Sequence, residues 1–315
     1  TIGTRSMKEG IRLVASHIDS PRVDLKPNPL YEDAEIGYFK THYYGGIRKY
    51  QWTAIPLSLH GVIVKKGGEA VAVSVGEEPG EPVFSITDLL PHLSKDQDAR
   101  KLGDGVRGEE LNIVIGSRPF RDDKASQKVK LAIAKLLFDK YGIVESDFQA
   151  ADLQAVPAFA PRDVGFDRSM VGAYGQHDKV CAYTSLMAAI EAPAPEYTHV
   201  TVMADKEEVG SPGATGMGSD YFVYFISDLA KPYGIEGRTV LTHTKCLSAD
   251  VNCAFDPSFP DVAERRNIAY VNYGTVLTKY TGSRGKSGCN EATAEFMGFV
   301  RDLFDSEGVL WQTGE

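Results

Sequence analysis

Residues 11–19 read IRLVASHID, a short apolar run that ends in a histidine and an aspartate two positions apart. The run has the length and composition of a buried strand. After residue 156 the pattern alternates: VCAYTSLMAAIEA (180–192) predicts a helix, HVTVMAD (199–205) a short buried strand, and RTVLTHTKCLSADV (238–251) further extended segments. Such alternation is typical of an α/β fold with a mainly parallel sheet and flanking helices. We therefore expect the strand at 11–16 to pair with strands that come much later in the chain.

The segment between these two parts has a different character. Residues 38–75 are rich in aromatic and β-branched residues and carry glycine pairs at 45–46 and 67–68, which is typical of consecutive antiparallel strands. KASQKVKLAIAKLLFDKYG (124–142) predicts an amphipathic helix capped by Gly142, and NEATAEFMGFVRDLF (290–304) predicts another. We predict a discontinuous α/β domain, 1–25 and 157–315, with a β-rich insertion at 26–156.

Composition excludes several classes of protein. The chain has 315 residues and a formal net charge of −9, which argues against a nucleic acid or an anionic membrane as partner. No apolar run approaches the roughly 18 residues of a membrane span, and the first residues lack the apolar core of a signal peptide. The four cysteines include no CxxC pair, so we expect reduced thiols and a cytoplasmic location.

Acidic and imidazole side chains follow three of the strand-like segments. His17 and Asp19 end the first, Glu207 and Glu208 follow HVTVMAD, and Asp250 ends KCLSAD. Ligands of open α/β sheets bind beyond the carboxyl ends of the strands, so these groups are predicted to share one rim. A divalent cation would remove the repulsion between such carboxylates, and mixed histidine and carboxylate ligands suit zinc.

A further histidine and aspartate, His177 and Asp178, precede a helical apolar run. An aspartate in the first turn of a helix is favoured by the backbone dipole and needs no function. Likewise a histidine–aspartate triplet occurs by chance, a glutamate pair is usually a solvated face, and Asp250 can be a turn residue. The repetition at strand ends is what favours a metal site. No GxSxG motif is present, and GSRGKSG (282–288) lacks the first glycine of a phosphate-binding loop.

Five stretches together resemble a known family. They are SHIDSPRVDLKPNPLYE (16–32), GAYGQHDKVCAYTSL (172–186), ADKEEVGSPGATGM (204–217), LSADVN (247–252) and KYTGSRGKSGCNEATAEF (279–296). In this order they resemble the aspartyl-aminopeptidase family of metallo-aminopeptidases, in its bacterial branch. The resemblance covers nearly the whole chain.

The resemblance implies an exopeptidase that removes N-terminal residues from peptides with two metal ions, usually zinc, for which cobalt or manganese can substitute. It implies a catalytic α/β domain, an inserted dimerisation domain, and dimers assembled into a tetrahedral complex. By position, His17 and Asp250 would bind the first metal, Asp19 would orient His17, and Glu208 would bind the second metal. Glu207 would transfer protons, residue 177 would bridge the metals, and Asp178 would shape the backbone corner.

Two departures from the family bear on the metal count. The family has an aspartate at the bridging position, whereas this chain has His177, and a neutral imidazole offers one lone pair instead of two oxygens. The family also supplies its last metal-ligating histidine beyond the point where this chain ends, so we expect the catalytic domain to lack its C-terminal part. We expect at most one tightly bound metal.

The sequence leaves other functions and contacts open. A related metallo-carboxypeptidase or deacylase shares the layout, and a catalytically impaired relative would act in assembly or peptide binding. Arg284 and Lys286 would meet an acidic substrate side chain or be solvated only. His92 would reach a neighbour's active site or pack within its own domain.

Overall fold

The computed structural model describes residues 1–122, 124–282 and 287–315. The chain forms two compact units, Thr1–Ser248 and Ala249–Glu315. The strands of the first unit are β1 (Arg12–His17), β2 (Arg22–Asp33), β3 (Ile36–Tyr44), β4 (Leu57–Val64), β5 (Ala70–Val75), β6 (Ser85–Ile86), β7 (Ile113–Gly116), β8 (Ala151–Pro157), β9 (Arg162–Val164), β10 (Met170–Gly172), β11 (His199–Ala204) and β12 (Lys245–Ser248). Its α-helices are α1 (Lys95–Asp98), α2 (Lys128–Tyr141), α3 (Gln176–Glu191), α4 (Tyr221–Ala230) and α5 (Gly237–Thr242).

A parallel three-stranded sheet contains the opening strand of the sequence. Its order is β11-β1-β12, and β1 pairs with both neighbours in the parallel sense. His17 lies opposite Ala204 at the carboxyl ends of β1 and β11. The predicted pairing of β1 with late strands is therefore confirmed, and with it the α/β class. HVTVMAD, however, is mostly half-buried.

Residues 22–157, which include the aromatic-rich segment, contain a seven-stranded sheet in the order β5-β4-β8-β2-β3-β7-β6. All of its pairings are antiparallel, as the sequence pattern predicts. Its buried face contributes to a hydrophobic core that includes Val23, Leu57, Ile63 and Ile113. Gly142 ends helix α2 with φ of +67° and donates its N–H to the carbonyl of Phe138, which confirms the predicted cap.

The segment at 238–251, predicted to hold further extended segments, is only partly extended. Only Lys245–Ser248 is a strand, and Gly237–Thr242 is helix α5. Val240 is fully buried in the cluster that includes Ile226 of α4, so packing overrides the β propensity of this threonine- and valine-rich stretch. The close approach needs glycine at 237, where a Cβ would lie 2.3 Å from Oγ of Ser227.

The second unit contains a parallel pair of strands with a helix between them in the chain. Strand β13 (Thr275–Thr278) pairs with β14 (Trp311–Gly314), and α6 (Ala294–Ser306) connects them. Thr293 caps this helix by accepting the N–H of Phe296, and Val300 is buried, as expected for an amphipathic helix. Among the described residues of both units, none of the helices is long and apolar enough to cross a bilayer.

Candidate metal centre

Three elements of the first unit converge beyond the carboxyl end of β1. Strand β1 ends at His17, and a short turn at Glu207–Val209 follows strand β11. Helix α3 begins at Gln176, after Gly175 takes φ of +73°, and presents His177 and Asp178 in its first turn. The predicted meeting of the strand ends with the helix start is therefore seen for these residues.

Four side chains offer donor atoms that all lie within 4.8 Å of one another: His17, His177, Asp178 and Glu208. Nε2 of His177 is 3.9 Å from Oε1 of Glu208, and Nδ1 of His17 is 3.9 Å from Oδ1 of Asp178. The two imidazole rings lie with their centroids 5.2 Å apart. Two imidazoles and two carboxylates around one point form a donor set typical of zinc.

Burial supports a cation at this point. Asp178 is only 3% exposed, and its Oδ1 accepts no hydrogen bond within the described part of the chain. A buried carboxylate oxygen without a donor is costly, and a cation compensates for that cost. The pKa of Glu208 is raised by burial and by the neighbouring carboxylates of Asp178 and Glu207, although the imidazoles of His177 and His17 act in the opposite direction. The residues present therefore fit a bound metal ion.

Asp19 contacts both His17 and the turn at Glu207–Val209, which we call the acidic turn. Its Oδ1 accepts the backbone N–H of Glu207 and its Oδ2 that of Glu208, both at 3.1 Å. Nδ1 of His17 lies 3.2 Å from the backbone carbonyl oxygen of Asp19 and 3.6 Å from its Oδ1. Because a carbonyl only accepts, Nδ1 carries the proton and Nε2 keeps its lone pair for a metal.

The two glutamates differ in their surroundings. Glu208 is half-buried and belongs to the four-residue cluster, whereas its neighbour Glu207 is exposed and does not. Lys206 precedes them with φ of +66°, a left-handed conformation that turns the chain sharply. One carboxylate thus faces the donor cluster while the next faces solvent, which is the arrangement expected of a ligand beside a proton carrier.

Comparison with known proteins identifies the family. The family model described as aminopeptidase I zinc metalloprotease (M18) matches residues 1–314. The chain belongs to the M18 family of aminopeptidases. It is 50% identical over 318 residues to a probable M18 family aminopeptidase 1 of Clostridium acetobutylicum, with 100% of this chain and 68% of the relative covered. The resemblance drawn from the five sequence stretches, and the metallo-aminopeptidase function that it implies, are confirmed.

Solved M18 structures share the fold. The Thermotoga maritima aminopeptidase superposes with a TM-score of 0.94 at 44% identity, covering 98% of this chain and 69% of that one. The Saccharomyces cerevisiae mApe1, solved as a dodecamer, has a TM-score of 0.73 at 20% identity, covering 99% of this chain and 70% of that one. At that identity the likeness shows the fold alone.

The remaining predicted site residues of this M18 chain are Asp250, Arg284, Lys286 and His92. Asp250 is not one of the four clustered residues; it follows β12 by two positions, in the second unit, and its Oδ1 accepts the N–H of Val251. Arg284 and Lys286 lie outside the described residues. His92 is exposed in the loop after β6.

The sequence patterns did not reveal two residues that support the centre. The hydroxyl of Tyr44 donates to Oδ2 of Asp19 at 2.6 Å, and the ammonium of Lys179 donates to the carbonyl of Ile18. Lys179 directly follows the His177–Asp178 pair in the first turn of α3, and that position in the sequence could have indicated its role. Tyr44 ends a strand of the other sheet, and no periodicity or motif links it to Asp19.

Proposed function

We propose that this aminopeptidase holds one zinc ion tightly with His17, His177, Asp178 and Glu208. The observation that carries the proposal is the convergence of their four donor atoms within 4.8 Å. Asp250, which the family resemblance implies as a ligand, is kept as a candidate metal ligand. Cobalt or manganese is proposed to substitute, since both accept imidazole and carboxylate donors.

Glu207 is the proposed proton carrier. When bound, zinc supplies a Lewis acid that makes water a better nucleophile near neutral pH. The exposed Glu207 carboxylate accepts a proton as the water oxygen attacks the scissile carbonyl carbon. The same proton passes to the leaving amine nitrogen when the C–N bond breaks, so the carboxylate is regenerated. Asp19 supports this role by fixing the backbone of Glu207.

A second tightly bound ion is disfavoured by His177. Two dications about 3.5–4 Å apart need negative charge between them, and a neutral imidazole supplies none. The next residue, Asp178, does bring a carboxylate to the cluster. However, it is buried in the first turn of α3 and lies beside His17. We therefore propose a single tight site in place of the two-metal centre that the resemblance implies.

The substrates are proposed to be peptides with an unblocked N-terminus, and Arg284, Lys286 and His92 are proposed to contact them. We also propose a homo-oligomer of dimers in a tetrahedral complex, with segments 1–25 and 157–315 as the catalytic domain and 26–156 as the dimerisation domain. The S. cerevisiae mApe1 was itself solved as a dodecamer.

A peptide panel tests the activity. Zinc-loaded protein is incubated with peptides that have a free N-terminal amine and with the same peptides acetylated at the N-terminus. An aminopeptidase releases the first residue from the free-amine set alone. Equal cleavage of acetylated peptides, or release of the C-terminal residue, would contradict the proposal.

A further inference from the structure

A side chain of the seven-stranded sheet, Tyr44, reaches the candidate metal centre. Tyr44 is the last residue of β3, is 8% exposed, and donates its hydroxyl to Asp19 at 2.6 Å. The guanidinium carbon of Arg22 lies 3.8 Å from the centre of its ring. The phenol is thus held by the packing of its ring and by a short hydrogen bond to a buried carboxylate.

The carboxylate that Tyr44 contacts is also the one that holds the acidic turn. Among the described residues, Asp19 accepts three hydrogen bonds, from Tyr44 and from the backbone N–H groups of Glu207 and Glu208. Tyr44 and Glu208 N–H share Oδ2, so the phenol limits how that oxygen can rotate away from the turn. The acidic turn needs these hydrogen bonds because Lys206 has a left-handed backbone conformation, which is strained for a residue other than glycine.

Gly45, the residue after Tyr44, packs closely against the same turn. Gly45 has φ of +75°, and a Cβ added there would lie 3.3 Å from Cβ of Glu208. The end of β3 therefore lies directly against the acidic turn. Gly45 and Glu208 lie close together although 163 positions separate them in the sequence.

We propose that Tyr44 is a positioning residue, which fixes Asp19 so that Asp19 in turn aims Glu207 and Glu208. The roles of those two glutamates rest on the proposed function, whereas the hold on their backbone does not. Removing the hydroxyl leaves Asp19 with two of its three donors. The loss of an outer partner of this kind typically costs about 10- to 100-fold in metal affinity or activity.

The test compares Tyr44→Phe with Tyr43→Phe. Phenylalanine keeps the ring of Tyr44 and removes only its hydroxyl. Tyr43 is the matched control because it is adjacent, 46% exposed, and its hydroxyl makes no hydrogen bond within the described residues. Each variant is assayed for kcat and KM on a free-amine peptide, for zinc Kd by competition with a chelator, and for amide hydrogen exchange across residues 205–210 of the metal-free protein.

For Tyr44→Phe we expect a kcat lower by about 10- to 100-fold with KM nearly unchanged, or a zinc Kd higher by a similar factor. We also expect about tenfold faster exchange at residues 207 and 208, because their amides lose a fixed acceptor. Unchanged exchange together with unchanged kcat and zinc Kd would overturn the proposal, as would the same losses in Tyr43→Phe. If the wild-type chain cleaves no peptide, the proposed function fails, and exchange in the metal-free protein still decides the role of Tyr44.

Discussion

His177 is the residue on which the metal count depends. Its side chain is 52% exposed, and its Nε2 faces Oε1 of Glu208 across 3.9 Å. A neutral imidazole coordinates through one nitrogen and cannot place negative charge between two cations. His177 can therefore bind one ion together with Glu208, but it does not favour binding of a second ion.

Replacing His177 by aspartate is expected to raise the zinc content. The variant returns two oxygens and a negative charge to the first turn of α3, where the helix dipole also favours an anion. Metal analysis after dialysis at neutral pH measures the equivalents bound by each protein. His92→Asp is the control, since it adds the same charge at an exposed position outside the cluster. Two equivalents in the unmodified chain, or no gain in His177→Asp, would mean that another ligand replaces the bridge.

Glu207 and Glu208 are expected to respond differently to the same substitution. Glu207→Gln should lower kcat by about 10²–10⁴-fold with zinc retained, because an amide accepts no proton. Glu208→Gln should lower zinc content as well, because it removes a charged donor from the cluster. Paired measurements of kcat and bound zinc on the two variants check the assignment. If both kept full zinc and similar activity, the roles given to the two residues would be wrong.

At the scale of elements, patterning predicted which segments are strands and helices but not every local outcome. The strand that ends at His17 and the helix that ends before Gly142 could be predicted because their apolar patterns and caps are local features of the sequence. Helix α5 was missed because its residues favour strands and only burial of Val240 against α4 decides otherwise. The contact of Tyr44 with Asp19 joins two sheets, and sequence spacing carries no signal for it.

Gly61 tests the pairing of β4 with β8. It lies opposite Leu153 with φ of +138°, and a Cβ there would lie 1.8 Å from the carbonyl oxygen of Asp152. Gly61→Ala should lower the free energy of unfolding by about 2–4 kcal/mol through overlap and backbone strain. Gly103→Ala, where a Cβ meets no atom within 4 Å, should be nearly neutral. Denaturant unfolding measures both, and equal stability of the two variants would contradict the register.

At the scale of the whole molecule, the sequence predicted the family and the α/β class because long motifs follow the family's order. The four-residue metal cluster was predicted in part: His17, His177 and Glu208 were named as ligands, and Asp178 was assigned to the backbone corner. Asp178 is buried by packing, which brings its carboxylate oxygen into the cluster, and the sequence alone does not predict that burial.

The proposed assembly predicts that exposed leucines in the β-rich segment are covered by another subunit. Leu89, Leu90 and Leu93 are 50%, 53% and 66% exposed within five positions. Exposed apolar patches of this kind mark interfaces. Leu90→Ser combined with Leu93→Ser should shift the protein to smaller species in light scattering at micromolar concentration. Leu310→Ser, in the second unit and 66% exposed, is the control. A wild-type chain that is strictly monomeric would contradict the interface.

X-ray absorption at the zinc edge of the loaded protein tests the proposed metal centre most directly. One zinc bound by His17, His177, Asp178 and Glu208 predicts nitrogen and oxygen neighbours at about 2.0–2.2 Å, with scattering from two imidazole rings and no sulfur. His177→Ala should reduce the imidazole scattering to that of one ring. Sulfur neighbours at about 2.3 Å from the zinc, or imidazole scattering that His177→Ala leaves unchanged, would show that zinc binds elsewhere and would contradict the proposed centre.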